Sequence, residues 1–544
     1  MRLPSLVLVL VSVLLLAGCS RSGAPAAAAA KILAYGNGAE PEDLDPHIVT
    51  GVSENNIITA LFEGLVNYHP SGEGISPGVA ESWETAPDGL TWTFHLRSTA
   101  RWSNGEPVTS RDFLRSYQRI LTPTMAAKYA RNLFHVVGAE DFNSGKITDF
   151  AATGFSAPDA HTLVLHLNHP VPYLLELLKH YSWFPVHLPT IEKFGPADRK
   201  GNAWTRAGNL VGNGPFQLES WLPNQKITVT RSPTYWNAPA VKLDGIAFYA
   251  IDSIDAEERM FRGGQLDVTS TIPTSKIDEY RSKSPGLMRI DPYYGTYFYR
   301  LNTTRPPLND ARVRRALALS FDREAIIKTI LRAGQTAAYN ITPAYAGFTP
   351  DTELKSDLIE ARRLLAEAGF PEGKGMRPIE LLYNTSEGHK QIAEAIQQMW
   401  RTNLGIDISL RNEEWKVYLD SQHNLNFDIS RAAWIGDYPN PETFLDLWIT
   451  DGGNNDTGYA NPAYDHLLAT ALATAGAAER LAVYRQMENL IVRDVPVIPV
   501  YFYKRVFLIN PRVQNWVPNI LDNRGWQYID ISPAPPDGAA KTKT

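Results

Sequence analysis

Five places in the 544-residue chain carry residue types that could do chemistry. "GISPG", residues 74–78, has the G-x-S-x-G spacing of a nucleophile elbow, where the residue after the serine supplies an oxyanion-hole N–H. Here that residue is Pro77, which has no N–H, and no helix is expected to follow, so Ser76 reads as a turn residue. In "HTLVLHLNHP" the three histidines fall on an expected strand, where His166 faces away from His161 and His169, so they cannot converge on a metal. "GFPEGKGM" lacks the Ser or Thr that a phosphate loop needs after Lys374 and reads as a loop behind a helix. Glu413 and Glu414 fall at an expected helix start, where the dipole accounts for them without catalysis. The expectation is a protein that is not an enzyme and holds no metal or cofactor; a hydrolase using scattered carboxylates is the rival.

The fifth place is "FDISRAAWIGDYPNPETF", residues 427–444, an expected buried strand followed by Asp437 among glycine, tyrosine and proline. Asp437 either caps the helix "PETFLDLWIT" or forms an Asx turn, or it offers its charge to a ligand.

The elements around it favour a site. "IELLYN", "IDISL" and "FDISRAAW" read as strands, separated by the helices "SEGHKQIAEAIQQMWRTNLG" and "EEWKVYLDSQ". This βαβαβ order implies a right-handed parallel sheet, and ligands of open parallel sheets bind beyond the C-terminal strand ends. Asp437 follows one such strand; Asn384 and His389 follow another. The segment "NDARVRRALALSFDREAIIKTILRAG" reads as one helix closed by glycine, and "RLAVYRQMENLIVRDVPVIPVYFYKRVFLIN" as a long helix and a strand. Nearer the N-terminus, "SENNIITALFEGLVNY" carries a helical apolar stripe with Ser53 as its expected N-cap. Short alternating strands such as "LTWTFHL" dominate from there to about residue 189, and strands with a helix, "SIDAEERMFRGG", fill 190–294.

Length allows several domains and a large core. The formal charge of -6 argues against a nucleic-acid partner. At the N-terminus, the apolar run Leu6–Leu16 behind Arg2 is shorter than the roughly 20 residues a bilayer requires and fits a signal peptide. Cys19 is the sole cysteine, so no intramolecular disulfide can form. It closes "LAGC", which resembles a bacterial lipobox, so residues 1–18 are an expected signal peptide, Cys19 an acylated anchor and 19–30 a flexible tether.

The collinear run "EDLDPHIVTGVSENNIITALFEGL", "PGVAESWE", "TWTFHLRSTARWSNGEPVTSRDF", "GNGPFQLESW", "RSPTYWN" and "GDYPNPETFL" resembles the extracytoplasmic oligopeptide-binding proteins of ABC importers over nearly the whole mature chain. The resemblance implies an α/β fold of two lobes that close on a ligand, with an extra accessory domain. Lobe I would combine 31–62, 190–294 and 505–540; the accessory domain would be 63–189, and lobe II 295–504. It implies an extended peptide in the cleft, paired like an added strand. The peptide ammonium would meet Asp437. Thr50, Gly51, Val52, Ala432, Ala433, Trp434, Ile435 and Gly436 match positions offering backbone partners. Trp434, Trp415 and Tyr129 match pocket walls, and Arg431 and His389 match positions facing a peptide carboxylate. The chain has Leu331 and Gln422 where well-studied relatives carry basic residues, with Arg332 beside the first, and Thr269 where they carry a pocket tyrosine. The positions of Gly295 and Ile435 carry a disulfide in some relatives. The implied function is an exported, monomeric, lipid-anchored protein that passes short peptides to an ABC permease. Alternatives are a muropeptide, dipeptide or other small-solute carrier, or a peptide-sensing lipoprotein.

Overall fold

Residues 30–532 are described by the computed structural model. The expected signal peptide and Cys19, with all but the last residue of the tether, lie outside them. The alternating segments before residue 290 pair into two four-stranded sheets. In the first, Ile32–Gly38 runs parallel to Gly245–Ala250, which continues antiparallel into Lys226–Arg231 and Phe216–Leu222. In the second, Ala80–Thr85, Thr91–Leu96, Thr162–His166 and Phe155–Asp159 form an antiparallel meander. Its inward residues Phe94, Leu163 and Leu165 join a core of residues between Leu65 and Trp183, to which Tyr438 is the one distant addition. One face is buried and the other wet, as alternation requires.

The third sheet has six strands. Ile379–Asn384, Ile408–Glu413 and Ile429–Ile435 are parallel, with the first in the middle, and helices Glu387–Leu404 and Trp415–His423 make the crossovers. The short strand Thr336–Ala337 and two long strands, Met288–Leu301 and Val497–Leu508, complete it antiparallel. The two long strands tie two cores together. Val506 and Leu508 pack with Phe261, Leu266 and Ile277, whereas Tyr297, Tyr299 and Val500 pack with Leu317, Ile379 and Trp400. Between the two halves the register jumps from Pro292↔Lys504 to Thr296↔Phe502, so the ladder is interrupted where the strands pass from one core to the other.

Local expectations differ at four points. Residues 309–334 do not form one helix: Ala311–Leu319 ends at Ser320, and Asp322 caps a new turn by accepting from the Ala325 N–H. The last turn widens to π geometry over Ile327–Leu331 and stops at Arg332, φ 60°. Ser53 is not an N-cap, because the helix Val52–Leu61 starts after extended Gly51 and the Ser53 hydroxyl is drawn to the buried carboxylate of Glu54, 2.8 Å away. Ser76 is not in a turn but in a short strand, Ile75–Pro77, paired with Val66–Tyr68. Finally, only Glu414 caps the helix after it, since Glu413 ends a strand.

Two buried polar groups tie the loop before Gly51 to the rest. Arg119, from the helix Ser110–Leu121, grips Asp45 through both oxygens, at 3.0 and 2.5 Å, and reaches His47 Nδ1 at 2.9 Å. Burial works against the Asp45 charge, but the guanidinium wins and holds its carboxyl below the usual range. Burial, helped by Arg119, lowers His47 to about 4.

Glu488 sits in the opposite regime. Burial lifts it to about 7, against hydrogen bonds from Thr342 and Ile341. A raised carboxyl contributes stability that is fully present below about pH 4.5 and is lost as the pH rises through about 7. Glu488→Gln keeps the shape and cannot ionise. Its unfolding free energy relative to wild type is expected to improve by roughly 2–3 kcal/mol between pH 5 and 8. Parallel urea titrations at the two pH values check this, and an unchanged difference would refute it.

Candidate functional site

The interrupted strand pair floors a cleft of about 510 Å³. All thirteen residues singled out from the sequence as ligand contacts line it, drawn from the start of the helix Val52–Leu61, from the six-stranded sheet with its crossover helices and from the domain of the four-stranded meander. Their placement follows from the strand Ile429–Ile435. One edge pairs along its length with Met288–Leu301. On the other edge, Ile379–Asn384 pairs only with Ile429 and Ser430. From Ala432 onward that edge faces the cleft without a strand beside it.

Alternation then decides which groups it offers. Gly436 N–H donates to Tyr294 on the paired side, and the Arg431 carbonyl accepts from Gln422 Nε2 on the other. Antiparallel bonds alternate, so the N–H and C=O groups of Ala433 and Ile435 point to the open edge. Gly436 must be glycine for a steric reason, since a Cβ there would lie 2.7 Å from the Tyr294 ring.

Asp437 stands at the end of this edge, its side chain 12% exposed. It does not cap the following helix: Glu442–Leu445 has no side-chain cap, and the Asp437 oxygens are turned to side chains instead. Tyr129 OH lies 3.2 Å and His180 Nε2 3.4 Å from Oδ1, while Thr443 Oγ1 lies 3.4 Å from Oδ2 and accepts from the Asp437 N–H. No lysine or arginine among the described residues is within 4 Å, so none of them gives the charge a fixed cation.

At the other end of the strand the balance reverses. Arg431 is buried, with Nη1 on Asn384 Oδ1 at 3.2 Å, Nη2 on Tyr503 OH at 2.9 Å and its guanidinium 4.7 Å above the Tyr297 ring. It pairs with no carboxylate among the described residues, and Nε has no hydrogen-bond partner. The His389 ring is 5.6 Å from that of Tyr297, and burial, then Arg431, lowers its pKa well below the ordinary value. The loops after the two strands therefore do share an edge, as their order implied.

Trp434 is buried beside Tyr129, with ring centroids 6.2 Å apart. Trp415 is half-buried and stacks on Tyr418, and its Nε1 reaches across the cleft to Glu54 Oε1 at 3.3 Å. Thr50 and Gly51 precede the helix that begins at Val52, and a Cβ on Gly51 would come within 2.0 Å of Glu54 and 3.2 Å of Trp415.

Residues 74–456 match the family of bacterial extracellular solute-binding proteins, family 5. The chain belongs to that family. It is 39% identical over 506 residues to the periplasmic oligopeptide-binding protein OppA of Escherichia coli, covering 90% of this chain and 91% of the relative. The structure of Haemophilus influenzae OppA in complex with RPPGFSPFR superposes with a TM-score of 0.88 at 36% identity, covering 92% of this chain and 99% of the other. The Escherichia coli murein tripeptide binding protein MppA gives 0.88 at 35% identity over 93% and 99% of the chains, but its unliganded open form gives only 0.62 over 93% and 98%. At equal identity, that drop shows that the lobes of this family 5 protein stand together rather than apart. The fold is thus the two-lobed α/β fold of its relatives.

Of the departures from the family pattern, Gln422 and Leu331 fall in the cleft. Gln422 accepts from Arg300 and donates to Ser430, so it is spent on the protein's own groups. Leu331 lines the cleft, while neighbouring Arg332 turns outward to Asp278, 3.6 Å away. Thr269 is fully buried and accepts from the Leu508 N–H. Gly295 and Ile435 are register partners, in line with the pairing the resemblance implied, and here their contact is apolar.

Several cleft residues escaped the sequence reading. His180 and Tyr181 face the Asp437 end, and Lys128 reaches Asp456, which Arg300 also holds, at 3.4 and 2.7 Å. No motif marks them. Only their contacts across the cleft identify them, and those contacts need the fold.

Proposed function

We propose that this protein is an exported, lipid-anchored binding protein that captures short peptides in the cleft and delivers them to an ABC importer without chemical change. One observation carries the reading: an unpaired strand edge ends at a carboxylate with no lysine or arginine among the described residues beside it. A peptide laid along that edge would bond to Ala433 and Ile435 and place its ammonium on Asp437, a charge-assisted contact in a partly desolvated site. Thr50, Gly51 and Val52 would line the facing wall. Trp434, Trp415 and Tyr129 would bound side-chain pockets, and Arg431 with His389 would take a carboxylate at the far end. The names of the relatives, an oligopeptide-binding protein and a murein tripeptide binding protein, support a peptide ligand. Backbone pairing with one terminal charge favours tolerance of side chains.

In this reading lobe I comprises 31–62, 190–294 and 505–540, the accessory domain 63–189, and lobe II 295–504, and the protein works as a monomer tethered through Cys19. The register jump at Pro292 and Thr296 supports a hinge there.

Native mass spectrometry of protein purified from its own host tests the ligand. Co-purifying masses that fragment as short peptides are expected. A sugar, a metal complex or another small solute recovered alone would overturn the peptide reading, and release of cleaved peptide on incubation would favour a hydrolase.

A further inference from the structure

His180 was not among the expected site residues, yet its Nε2 lies 3.4 Å from Asp437 Oδ1, the oxygen that Tyr129 also approaches. The ring belongs to the domain that carries the antiparallel meander. Its Nδ1 accepts from the Ser182 N–H at 3.3 Å, which caps the short turn Tyr181–Trp183, and two more groups converge on the same nitrogen. These are Ser182 Oγ at 2.8 Å and Asn132 Nδ2 at 3.4 Å. A backbone N–H and an amide NH2 can only donate, so Nδ1 must present its lone pair. The ring proton of the neutral imidazole is then on Nε2, the atom 3.4 Å from Asp437 Oδ1. Tyr129 stacks edge-on at 4.5 Å and sends its hydroxyl to the same oxygen, and Tyr181 packs on the ring at 4.1 Å.

We propose that His180 is a positioning residue: locked as the Nε2–H tautomer, it and Tyr129 hold Asp437 Oδ1 so that the carboxylate faces the cleft with its charge unspent. This rests on the reading of Asp437 as the seat of a ligand ammonium. A lysine or arginine at position 180 would hold the carboxylate equally well but neutralise it. A neutral donor orients without competing with the incoming cation.

The test uses the full mature protein and one tripeptide in two forms, with a free amino terminus and N-acetylated. His180→Leu is expected to weaken the free-amine form about 10-fold and leave the acetylated form unchanged, and His180→Gln, which retains an N–H, is expected to stay within about threefold of wild type on both. Nitrogen-15 histidine spectra of the unsubstituted protein, with the His180 signal assigned by its loss in His180→Gln, are expected to show the proton on Nε2. Equal weakening of both peptides by His180→Leu, no weakening of either, or a proton on Nδ1 would overturn the proposal. Asp437→Asn in the same assay separates the two levels. If it discriminates between the peptides and His180→Leu does not, only the positioning role falls; if Asp437→Asn does not discriminate, the ammonium site falls and this proposal with it.

Discussion

Asp437→Asn is expected to weaken binding of peptides with a free amino terminus by about 100-fold, roughly 2.7 kcal/mol, and of the same peptides N-acetylated by less than about threefold. The asymmetry follows from what the substitution leaves in place. An asparagine oxygen can still accept from Tyr129, and Thr443 can still receive the backbone N–H of residue 437. What disappears is a charge that no lysine or arginine among the described residues compensates and that sits mostly out of water. An ammonium loses its only counter-ion there, whereas an acetylated terminus never uses it. Isothermal titration with the paired peptides measures the difference. Equal losses for the two forms would mean that Asp437 shapes its loop rather than meeting a terminus.

A second large effect is expected far from the ligand. Asp45→Asn should lower the free energy of the first unfolding transition in urea by about 3–5 kcal/mol, because it strands the Arg119 guanidinium, whose side chain is 1% exposed. The lost term also has a pH signature. A carboxyl held below its ordinary value contributes stability that is present above about pH 4 and is lost as the pH falls below it. The gap between wild type and variant should therefore narrow in acid. Asp45→Asn combined with Arg119→Met removes both members, so the double variant should recover part of the loss. A single variant within 1 kcal/mol of wild type would show that water or His47 already relieves the arginine.

The elements that proved legible are those whose own pattern fixes them. The two crossover helices and three parallel strands around Ile379–Asn384 could be read because period and length agree along each. The strand ending in "AAWIGD" stood out because a charge interrupts it. The break at Ser320 escaped because every residue through Leu331 tolerates a helix, and only the Asp322 side chain, capping from within, reveals the restart. Ser53 misled for a related reason. A serine before an apolar stripe suggests a cap, but the buried Glu54 beside it competes for the hydroxyl. The least legible features are the partners of Asp437. Tyr129, 308 residues away in the chain, is reached only through the family resemblance, and His180 not at all, because the local pattern of their domain speaks only of its own sheet. Site residues brought by one strand can be inferred from that strand. Those brought by another domain cannot.

As the proposed hinge, the jump in register between Pro292 and Thr296 would set how much work a ligand must do. Pro292 has no N–H to give, and the Tyr294 backbone bonds sideways, donating to Ile520 and accepting from Gly436. A rotation at this point therefore need not break a continuous ladder. Part of the energy gap between open and closed populations then lies in side-chain contacts across the cleft, such as Trp415 with Glu54, Lys128 with Asp456 and Tyr129 with Asp437. Contacts of this kind amount to a few kcal/mol together. A bound peptide need only prefer the closed state by about 5.5 kcal/mol to turn a 1:99 mixture into 99:1. That is within reach of one buried terminal charge and a few backbone hydrogen bonds, so shutting the lobes requires nothing specific of the peptide's side chains.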